Sequence, residues 1–490
     1  MEKKLFFLFT LILTCIGIQT YAHDFEAVNN NGQTIYYKIT SSSSPYSVAV
    51  TYKGDMSTSY KEYYGAITIP STVTNNNITY TVSLIDQFAF SDCDSLTSIT
   101  LPNTITEIGM YAFDGCTHLT SISLPNSLQN IESSAFYMCY SLVSINIPSS
   151  VTNITSTAFV ECTRLTSINV DTSNPNYTSS NGVLYDKTMD TLICCPGGTT
   201  GVFTIPSSVS VLAYAAFRTC IQLTSIIFPN SITNISPDAF IGSWSLTSLV
   251  VDSSNPNYST LNGVLYNKPL SILILYPHQG PSTFVVPNSV KSIAYYAFNY
   301  CDNLTSITFP NTLDSISSWA FYYCDELTSL NLPASVKLIS DYAFYHCTAL
   351  TSITSQATTT PTIYANTFKN VSKSIPLYVP FNSIGLYDAA LYWRDFTNIL
   401  SGLNDISNIE LQTKLYPNPT QERTTLEIQG LKTNADVIIY DFLGRAIKTY
   451  KLNAGQKELE INLTGFSSGL YNVKITNNDC NITKKLIVND

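Results

Sequence analysis

Residues Leu119–Tyr140 read LTSISLPNSLQNIESSAFYMCY, and the stretch returns along the chain at a fixed step. Alignment on its Ala-Phe pair gives Phe90, Phe113, Phe136, Phe159, Phe217, Phe240, Phe298, Phe321 and Phe344. The steps between them are 23, 23, 23, 58, 23, 58, 23 and 23 residues. A degraded copy, Asn366-Thr367-Phe368, follows after 24 more. The consensus is L-T-S-I-x-x-P-x-x-[LVI]-x-x-I-x-x-x-A-F-x-x-C. A repeat of this length predicts a solenoid.

The unit has to stack. One copy offers Leu119, Ile122, Leu124, Leu128, Ile131, Ala135 and Phe136 as inward residues. Burying a large apolar side chain is worth roughly 1.5–3 kcal/mol, whereas ordering the backbone costs roughly 1–2 kcal/mol per residue. A single coil therefore does not fold alone. Stacked coils share a core, and stability becomes a sum over neighbours. Each coil is read as one strand at LTSIxxP and a second short extended piece at the later Ile. The Ala-Phe-x-x-Cys stretch turns the corner.

Upstream, Lys3 and Lys4 precede the apolar run Leu5–Ile18, and Thr20 and Ala22 offer a small-residue cleavage site before His23. Met1–Ala22 reads as a secretory signal peptide. Elsewhere no run reaches the ~18 apolar residues of a membrane span. The chain is 12% charged with a net charge of −10, which excludes a basic nucleic-acid footprint. Tyr (33) and Phe (23) are abundant, as in an extracellular β-rich protein.

Residues 23–83 read as a β-rich N-terminal cap. Ile35–Ile39 and Ser47–Tyr52 alternate like strands, Ile67–Pro70 is a half-formed repeat strand, and Thr74–Thr81 is a hairpin excursion. Coils occupy 84–354. Their outward positions are bland: Ser98, Ser121, Ser144, Ser167, Ser225, Ser248, Ser306, Ser329 and Ser352 form an unbroken column. Such a column either tiles a flat sheet or matches an ordered surface such as ice or crystalline polysaccharide. The two 58-residue steps carry insertions of 35 residues. Each contains Asn-Pro and Asn-Gly turns, at Asn174-Pro175 with Asn181-Gly182 and at Asn255-Pro256 with Asn262-Gly263. Val183–Tyr185 with Leu192–Cys194 reads as a protruding hairpin, either a standard coil extension or a contact arm.

Twelve cysteines are present, Cys15 within the signal segment. Cys93, Cys116, Cys139, Cys162, Cys220, Cys301, Cys324 and Cys347 follow the repeat Phe by three residues, and Ser243 breaks the column. They are expected to be buried free thiols acting as small hydrophobes. Zinc spacing such as C-x-x-C is missing. His23, His118, His278 and His346 lack acidic or nucleophilic partners at a recognisable spacing, and Asp325 and Glu326 read as turn residues. Without G-x-S-x-G, H-E-x-x-H or a P-loop, the chain is read as a non-enzyme needing no metal or cofactor.

The most uneven surface is aromatic. Beside the late Ala-Phe pairs stand Tyr295, Tyr296, Tyr300, Trp319, Tyr322, Tyr323, Tyr342, Tyr345 and His346, where early coils carry mostly Ser, Asp, Thr and Gly. If these stack coil upon coil they form an exposed strip suited to protein or sugar contacts; the alternative is corner padding. We take Tyr296, Tyr300, Trp319, Tyr322, Tyr323, Tyr342 and Tyr345 as candidate ligand-binding residues.

Residues 355–400 read as a C-terminal cap. Ile375–Pro380 is its strand, and Ile384–Asn398 places Leu386, Tyr387, Leu391, Tyr392 and Phe396 near helical spacing, as a lid. Residues 401–413 are a linker. From Lys414 charges thicken and clean strands alternate at Thr425–Ile428, Val437–Asp441, Leu459–Leu463, Gly469–Ile475 and Thr483–Val488, as in a small β-sandwich.

The repeats, with L-T-S-I-x-x-P and I-x-x-x-A-F-x-x-C, resemble the BspA-type leucine-rich repeat family of bacterial surface proteins. His23-Asp24-Phe25 and the stretch from Tyr378-Val379-Pro380 to Phe396–Ile399 resemble that family's ends. Residues 414–490 resemble the C-terminal sorting domain of the type IX (Por) secretion system of Bacteroidetes. Matching features are Leu415-Tyr416-Pro417-Asn418-Pro419, Tyr440-Asp441-x-Leu443-Gly444-Arg445, Ser468-Gly469-Leu470-Tyr471 and Lys484-Lys485-Leu486-Ile487-Val488. The sorting features are therefore Pro417, Asn418, Pro419, Gly444, Gly469, Tyr471, Lys484 and Lys485. The expected fold is mainly β: a leucine-rich-repeat solenoid with two hairpin insertions, then a small β-sandwich. These resemblances imply export, recognition of the tail by the type IX secretion machinery, and a secreted or outer-membrane surface-attached protein. They imply a surface adhesin with an extracellular protein ligand; a glycan-binding module or a structural surface-layer component are the alternatives.

Overall fold

The strand of each coil follows from its alternation, which puts Leu and Ile on one face and Ser, Thr or Asn on the other. Ser121–Ser123 shows it in miniature, with Ile122 buried between two exposed serines. The structure, a computed structural model, describes residues 22–54, 62–402, 412–429, 431, 433–442, 444–477 and 481–489. The signal segment, with Cys15, lies outside the described residues apart from Ala22, as do most of the 401–413 linker and Leu443. The chain divides into two compact units. One takes in Met1–Ser329, Ser335–Leu350 and Thr362–Ser372; the other takes in Leu330–Ala334, Thr351–Pro361 and Lys373–Asp490.

In the first unit the coils pair in parallel and in step. Ser98 opposes Ser121 and Ile99 opposes Ile122. The second strand has two residues: Asn130–Ile131 lies between Glu107–Ile108 and Asn153–Ile154, also parallel. The N-terminal cap prefigures both ladders. Gly65–Thr68 pairs with Leu96–Thr100, and Ile78–Ile85 leaves its hairpin with Thr72–Asn75 to pair with Glu107–Ile108.

At the corner the repeat Phe N–H donates to the Ala carbonyl of the following coil, as from Phe113 to Ala135 at 2.8 Å. The rings stack in an interior row. Phe90, Phe113, Phe136 and Phe159 are successively 5.0, 5.3 and 5.6 Å apart. Phe298, Phe321, Phe344 and Phe368 continue at 4.6, 4.9 and 5.3 Å, with interplanar angles under ten degrees.

The column cysteines are buried free thiols, as expected, but they also donate. Cys116, Cys139, Cys162, Cys324 and Cys347 direct S–H to the Phe carbonyl of the preceding coil, at 3.0–3.2 Å. Ser243 occupies the same seat and donates its hydroxyl to the Phe217 carbonyl at 2.6 Å. The seat therefore selects a small donor, which explains why serine can replace cysteine there.

The two long steps hold the expected hairpins, Val183–Asp186 with Thr191–Cys194 and Val264–Asn267 with Ile272–Leu275, but these pack down onto the coils instead of protruding. Each step holds one further coil that lacks the Ala-Phe signature. The Cys195 N–H donates to the Ala216 carbonyl at 2.7 Å, and the Tyr276 N–H donates to the Ala297 carbonyl at 2.8 Å. That is the bond a repeat Phe makes, so Cys195 and Tyr276 sit in Phe seats. Tyr276 stacks 4.9 Å from Phe298. Leu192 pairs with Leu212 in the short-strand ladder, and Thr200–Thr204 pairs with Gln222–Phe228 in the long one. The surplus residues fold back as antiparallel strands, Tyr177–Ser180 with Val183–Asp186. Val183, Leu184 and Tyr185 are buried, so nothing there projects as an arm. Fully buried Asn174 ties the turn down. Its amide donates to the carbonyls of Pro148 and Val151, and its oxygen accepts from the N–H groups of Asn176 and Tyr177. Asn255 repeats the arrangement. The additional coils also interrupt the serine column, where Val202 opposes Ser225 and Thr283 opposes Ser306.

In the second unit Ile353, Leu377 and Ile399 continue a parallel sheet. The expected short helix is Ile384–Ala389, and it gives way to a 3-10 turn at Trp393–Asp395 before the spacing runs out at Asn398. Tyr392 has a φ of 65° and breaks the spacing, leaving Leu386 and Leu391 exposed. Tyr387 and Trp393 are the buried anchors: the Tyr387 hydroxyl pairs with Ser355 and donates to the Ala357 carbonyl, and Trp393 donates Nε1–H to Pro361.

The described residues of the tail form a β-sandwich of seven strands. Gln412–Tyr416, Arg423–Gln429 and Glu458–Asn462 make one sheet; Ala446–Leu452, Ala435–Tyr440, Gly469–Thr476 and Asn481–Val488 make the other. Leu426, Ile428 and Ile461 of the first pack in one core with Val437, Ile439, Val473, Ile475 and Leu486 of the second. The strands at 412–416 and 446–452 escape the alternation pattern; Ala446–Leu452 buries only Leu452.

Candidate functional site

The corner backbone decides which side chains can form a site. In most coils two positions, two before and two after the repeat Phe, adopt positive φ; the coils of Phe159 and Phe240 do so only at the second. In the late coils these are Tyr296, Trp319 and Tyr342 before it, and Tyr300, Tyr323 and His346 after it, at 51–62°. Left-handed backbone is costly for bulky residues. Early coils put Phe88, Tyr111, Ser134, Met138, Gly115 and Glu161 at the same positions, so the conformation belongs to the fold and the density of aromatics is local to the late coils.

Those aromatics meet. Trp319 and Tyr342 stack at 4.1 Å with an interplanar angle of 5°. Tyr300 stacks on Tyr323 at 5.1 Å, Tyr322 on Tyr345 at 5.2 Å, and Tyr323 on His346 at 4.3 Å. Tyr296 joins through Trp319 at 6.0 Å and touches Tyr295 at 4.3 Å. The seven candidate residues thus form one cluster across three coils. The strip is not exposed, as its sequence implied: every ring is half-buried because each packs on its neighbours. Burial raises the hydroxyl pKa of Tyr295, Tyr296 and Tyr300 and pushes Tyr322 up to about 12. At neutral pH these phenols are protonated and able to donate.

His346, read as unpartnered, has an acidic partner after all. Its Nδ1 lies 3.0 Å from Asp325, whose carboxylate also accepts from Thr348 at 3.5 Å. The pair borders the cluster through the ring of Tyr323.

Beside the cluster lies a recess of about 370 Å³, lined by Tyr214, Arg218, Asp238, Ile241, Tyr295, Tyr296, Tyr300, Trp319 and Tyr322. Four of the candidate residues line it; Tyr214, Arg218, Asp238 and Ile241 were missed. They stand at the same offsets from Phe217 and Phe240 as the late aromatics do from their own Phe residues. The signal was present, but the unrecognised coil of Tyr276 lies between. Burial raises the Asp238 carboxyl pKa, against the pull of the Arg218 guanidinium.

The sorting residues gather elsewhere. Asn418, between two cis prolyl bonds to Pro417 and Pro419, spans to the last strand. It donates to the Lys485 carbonyl at 2.8 Å and accepts from the Ile487 N–H at 2.9 Å. Lys484 and Lys485 pair with Val473 and Asn472, and Gly469 with Val488. Tyr471 is buried and donates to the Ser467 carbonyl. Gly444 has a φ of 80° in the turn closed by the Asp441–Arg445 ion pair at 2.8 Å. Among the described residues no group of three His, Cys, Asp or Glu could hold a metal, and no helix is long and apolar enough to cross a membrane.

Known families match both parts. The BspA type leucine rich repeat region matches residues 65–189, 199–266 and 278–392 in six copies, more than half of the chain. The secretion system C-terminal sorting domain matches residues 414–489. No curated protein matches. Similar solved structures include the pneumococcal vaccine antigen PcpA, 20% identical over 78% of this chain and 99% of that one, with a TM-score of 0.40. A leucine-rich repeat protein from Eubacterium ventriosum is 19% identical over 77% and 86%, with a TM-score of 0.38. A leucine rich cell surface protein from Faecalibacterium prausnitzii is 21% identical over 71% and 98%, with a TM-score of 0.35.

Proposed function

Because the chain belongs to the BspA-type leucine-rich repeat family and ends in a secretion-system sorting domain, we propose that it is a non-catalytic adhesin displayed outside the cell. The sorting domain implies handling by the type IX machinery and attachment at the cell surface. The repeats hold host or bacterial surface proteins against the aromatic cluster of the late coils.

One observation carries this reading. Rings that a corner does not need are concentrated on three successive coils and packed face to face, while the same positions of early coils hold fewer, Phe88 on Tyr111 and Tyr137 among Ser134, Met138 and Gly115. Aromatic side chains give large contact area at low entropic cost and dominate protein interfaces. The Ser/Thr strands offer no comparable feature.

The test is binding of the full chain to immobilised extracellular matrix proteins and to partner bacteria. Tyr323→Ser, Tyr342→Ser and Tyr345→Ser combined should weaken binding at least tenfold. Hot-spot residues of this kind are each worth roughly 2 kcal/mol. Binding that is unaltered in the triple variant removes the cluster as the contact surface.

A further inference from the structure

We propose that the recess beside the aromatic cluster is a saccharide subsite, taking one neutral sugar unit of a glycan carried by the surface protein that the cluster holds. The inference rests on the adhesin reading and names the chemistry of its partner.

The recess exists because one coil withdraws. Around the coil of Tyr276 the flanking corners touch each other directly: Trp244 lies 6.3 Å from Tyr300, although that coil intervenes in the sequence. Pro277 and His278 stand where other coils carry projecting corner side chains, and His278 is buried. The same happens at the first additional coil, where the Glu161 N–H donates to the Thr219 hydroxyl at 2.9 Å. There Gly197 and Gly198 pass so close to Cys162 and Leu165 that a Cβ would meet their carbonyl oxygens at 2.7 and 2.8 Å. At the second coil a gap remains between Tyr214, Arg218, Asp238 and Ile241 on one side and the late aromatics on the other. Its volume of about 370 Å³ falls at the small end of the roughly 300–1,000 Å³ of ligand sites.

The lining fits a polyol. Ring faces suit the apolar C–H face of a sugar. A planar guanidinium with five donors and a carboxylate with two acceptor oxygens suit adjacent hydroxyls. Neither group is spent on the fold: among the described residues, the Arg218 guanidinium and the Asp238 carboxylate make no hydrogen bond or ion pair. Other ligand charges are disfavoured. A cation would gain from the rings and Asp238 but would face Arg218. An anion would gain from Arg218 but would meet the field of Asp238 and Glu161, which both act on that guanidinium. An uncharged ligand with vicinal hydroxyls uses every group present.

The test applies the full chain to an array of neutral and acidic glycans, then to soluble glucose, galactose, mannose and N-acetylglucosamine by saturation-transfer NMR. We expect neutral glycans to bind and one of the free sugars to show transfer. Asp238→Asn and Arg218→Ala should each weaken this at least tenfold with unchanged melting, since neither side chain supports the fold. Absence of sugar binding, binding confined to acidic glycans, or variants that bind like the parent would overturn the proposal. The triple variant at Tyr323, Tyr342 and Tyr345 avoids the recess lining. Protein binding that depends on those tyrosines while no sugar binds therefore removes the subsite alone. Protein binding indifferent to them removes the adhesin reading.

Discussion

Replacing Cys139 by alanine and by serine separates two roles for the thiol column. Cys139 is fully buried and donates to the Phe113 carbonyl at 3.2 Å. That carbonyl also receives the Cys116 N–H at 3.2 Å, so it is not orphaned when the thiol goes. Alanine removes one heavy atom, comparable to a methylene at about 0.8 kcal/mol. It also removes one hydrogen bond, about 1 kcal/mol net. The sum is about 2 kcal/mol, or roughly a 30-fold change in an equilibrium constant. Serine keeps the donor, and Ser243 shows that an oxygen in this seat reaches its carbonyl. Serine should therefore cost about 1 kcal/mol less than alanine. A seat that wants only a small hydrophobe gives the opposite order, because a buried hydroxyl without a partner costs roughly 1–3 kcal/mol. The assay is native-state hydrogen exchange at the amides of Phe136 and Leu142, since opening in a repeat array is local. Serine more destabilising than alanine at position 139 would refute the donor role.

Two further outcomes follow from buried polar groups. His278 is buried, and burial lowers its pKa to about 4 against the opposing pull of the Asn299 side chain. The unfolded imidazole titrates near ~6.5, so its contribution is present above that pH and is lost as pH falls through about 4. The unfolding free energy from denaturant titration should drop over this window by an amount on the order of 3 kcal/mol, and His278→Leu should flatten the drop; equal slopes would count against it. At Asn174, alanine removes four hydrogen bonds at a fully buried site and should cost about 2–4 kcal/mol. Asn174→Asp should be no better, because it cannot donate to Pro148 and Val151; an aspartate variant as stable as the parent in urea unfolding would show that the donated bonds do not matter.

What the sequence made legible was whatever repeats with its side chains intact. Leu119, Ile122, Ile131 and Phe136 carry the coil, and each is buried where the period places it. The aromatic cluster was legible for the same reason: Tyr296, Trp319 and Tyr342 share one offset from their Phe. Illegible were features set by backbone geometry. That Cys139 donates rather than merely fills space depends on where the Phe113 carbonyl points. Tyr392 interrupts an apolar spacing that otherwise reads as a helix, because its φ is positive. Half-burial of the rings depends on their packing against one another, which a list of positions does not contain.

The additional coils show how illegibility and function can share a cause. A search on Ala-Phe sees 58 residues between Phe240 and Phe298 and divides them as one coil plus an insertion. The backbone divides them at Tyr276, whose N–H reaches Ala297 as a repeat Phe would. A coil that keeps the ladder bonds but not the signature still transmits the stack, since neighbours recognise its strands and not its corner. Its corner is then free to lose projecting side chains. That freedom brings Trp244 to Tyr300 and opens the gap that Arg218 and Asp238 line. Restoring the corner tests this origin: His278→Tyr should direct a ring toward the space, whereas His278→Leu should not. If the recess is the shadow of that withdrawn corner, the tyrosine variant loses sugar transfer while keeping protein binding through Tyr323, Tyr342 and Tyr345. Undiminished transfer in that variant would place the origin of the recess elsewhere.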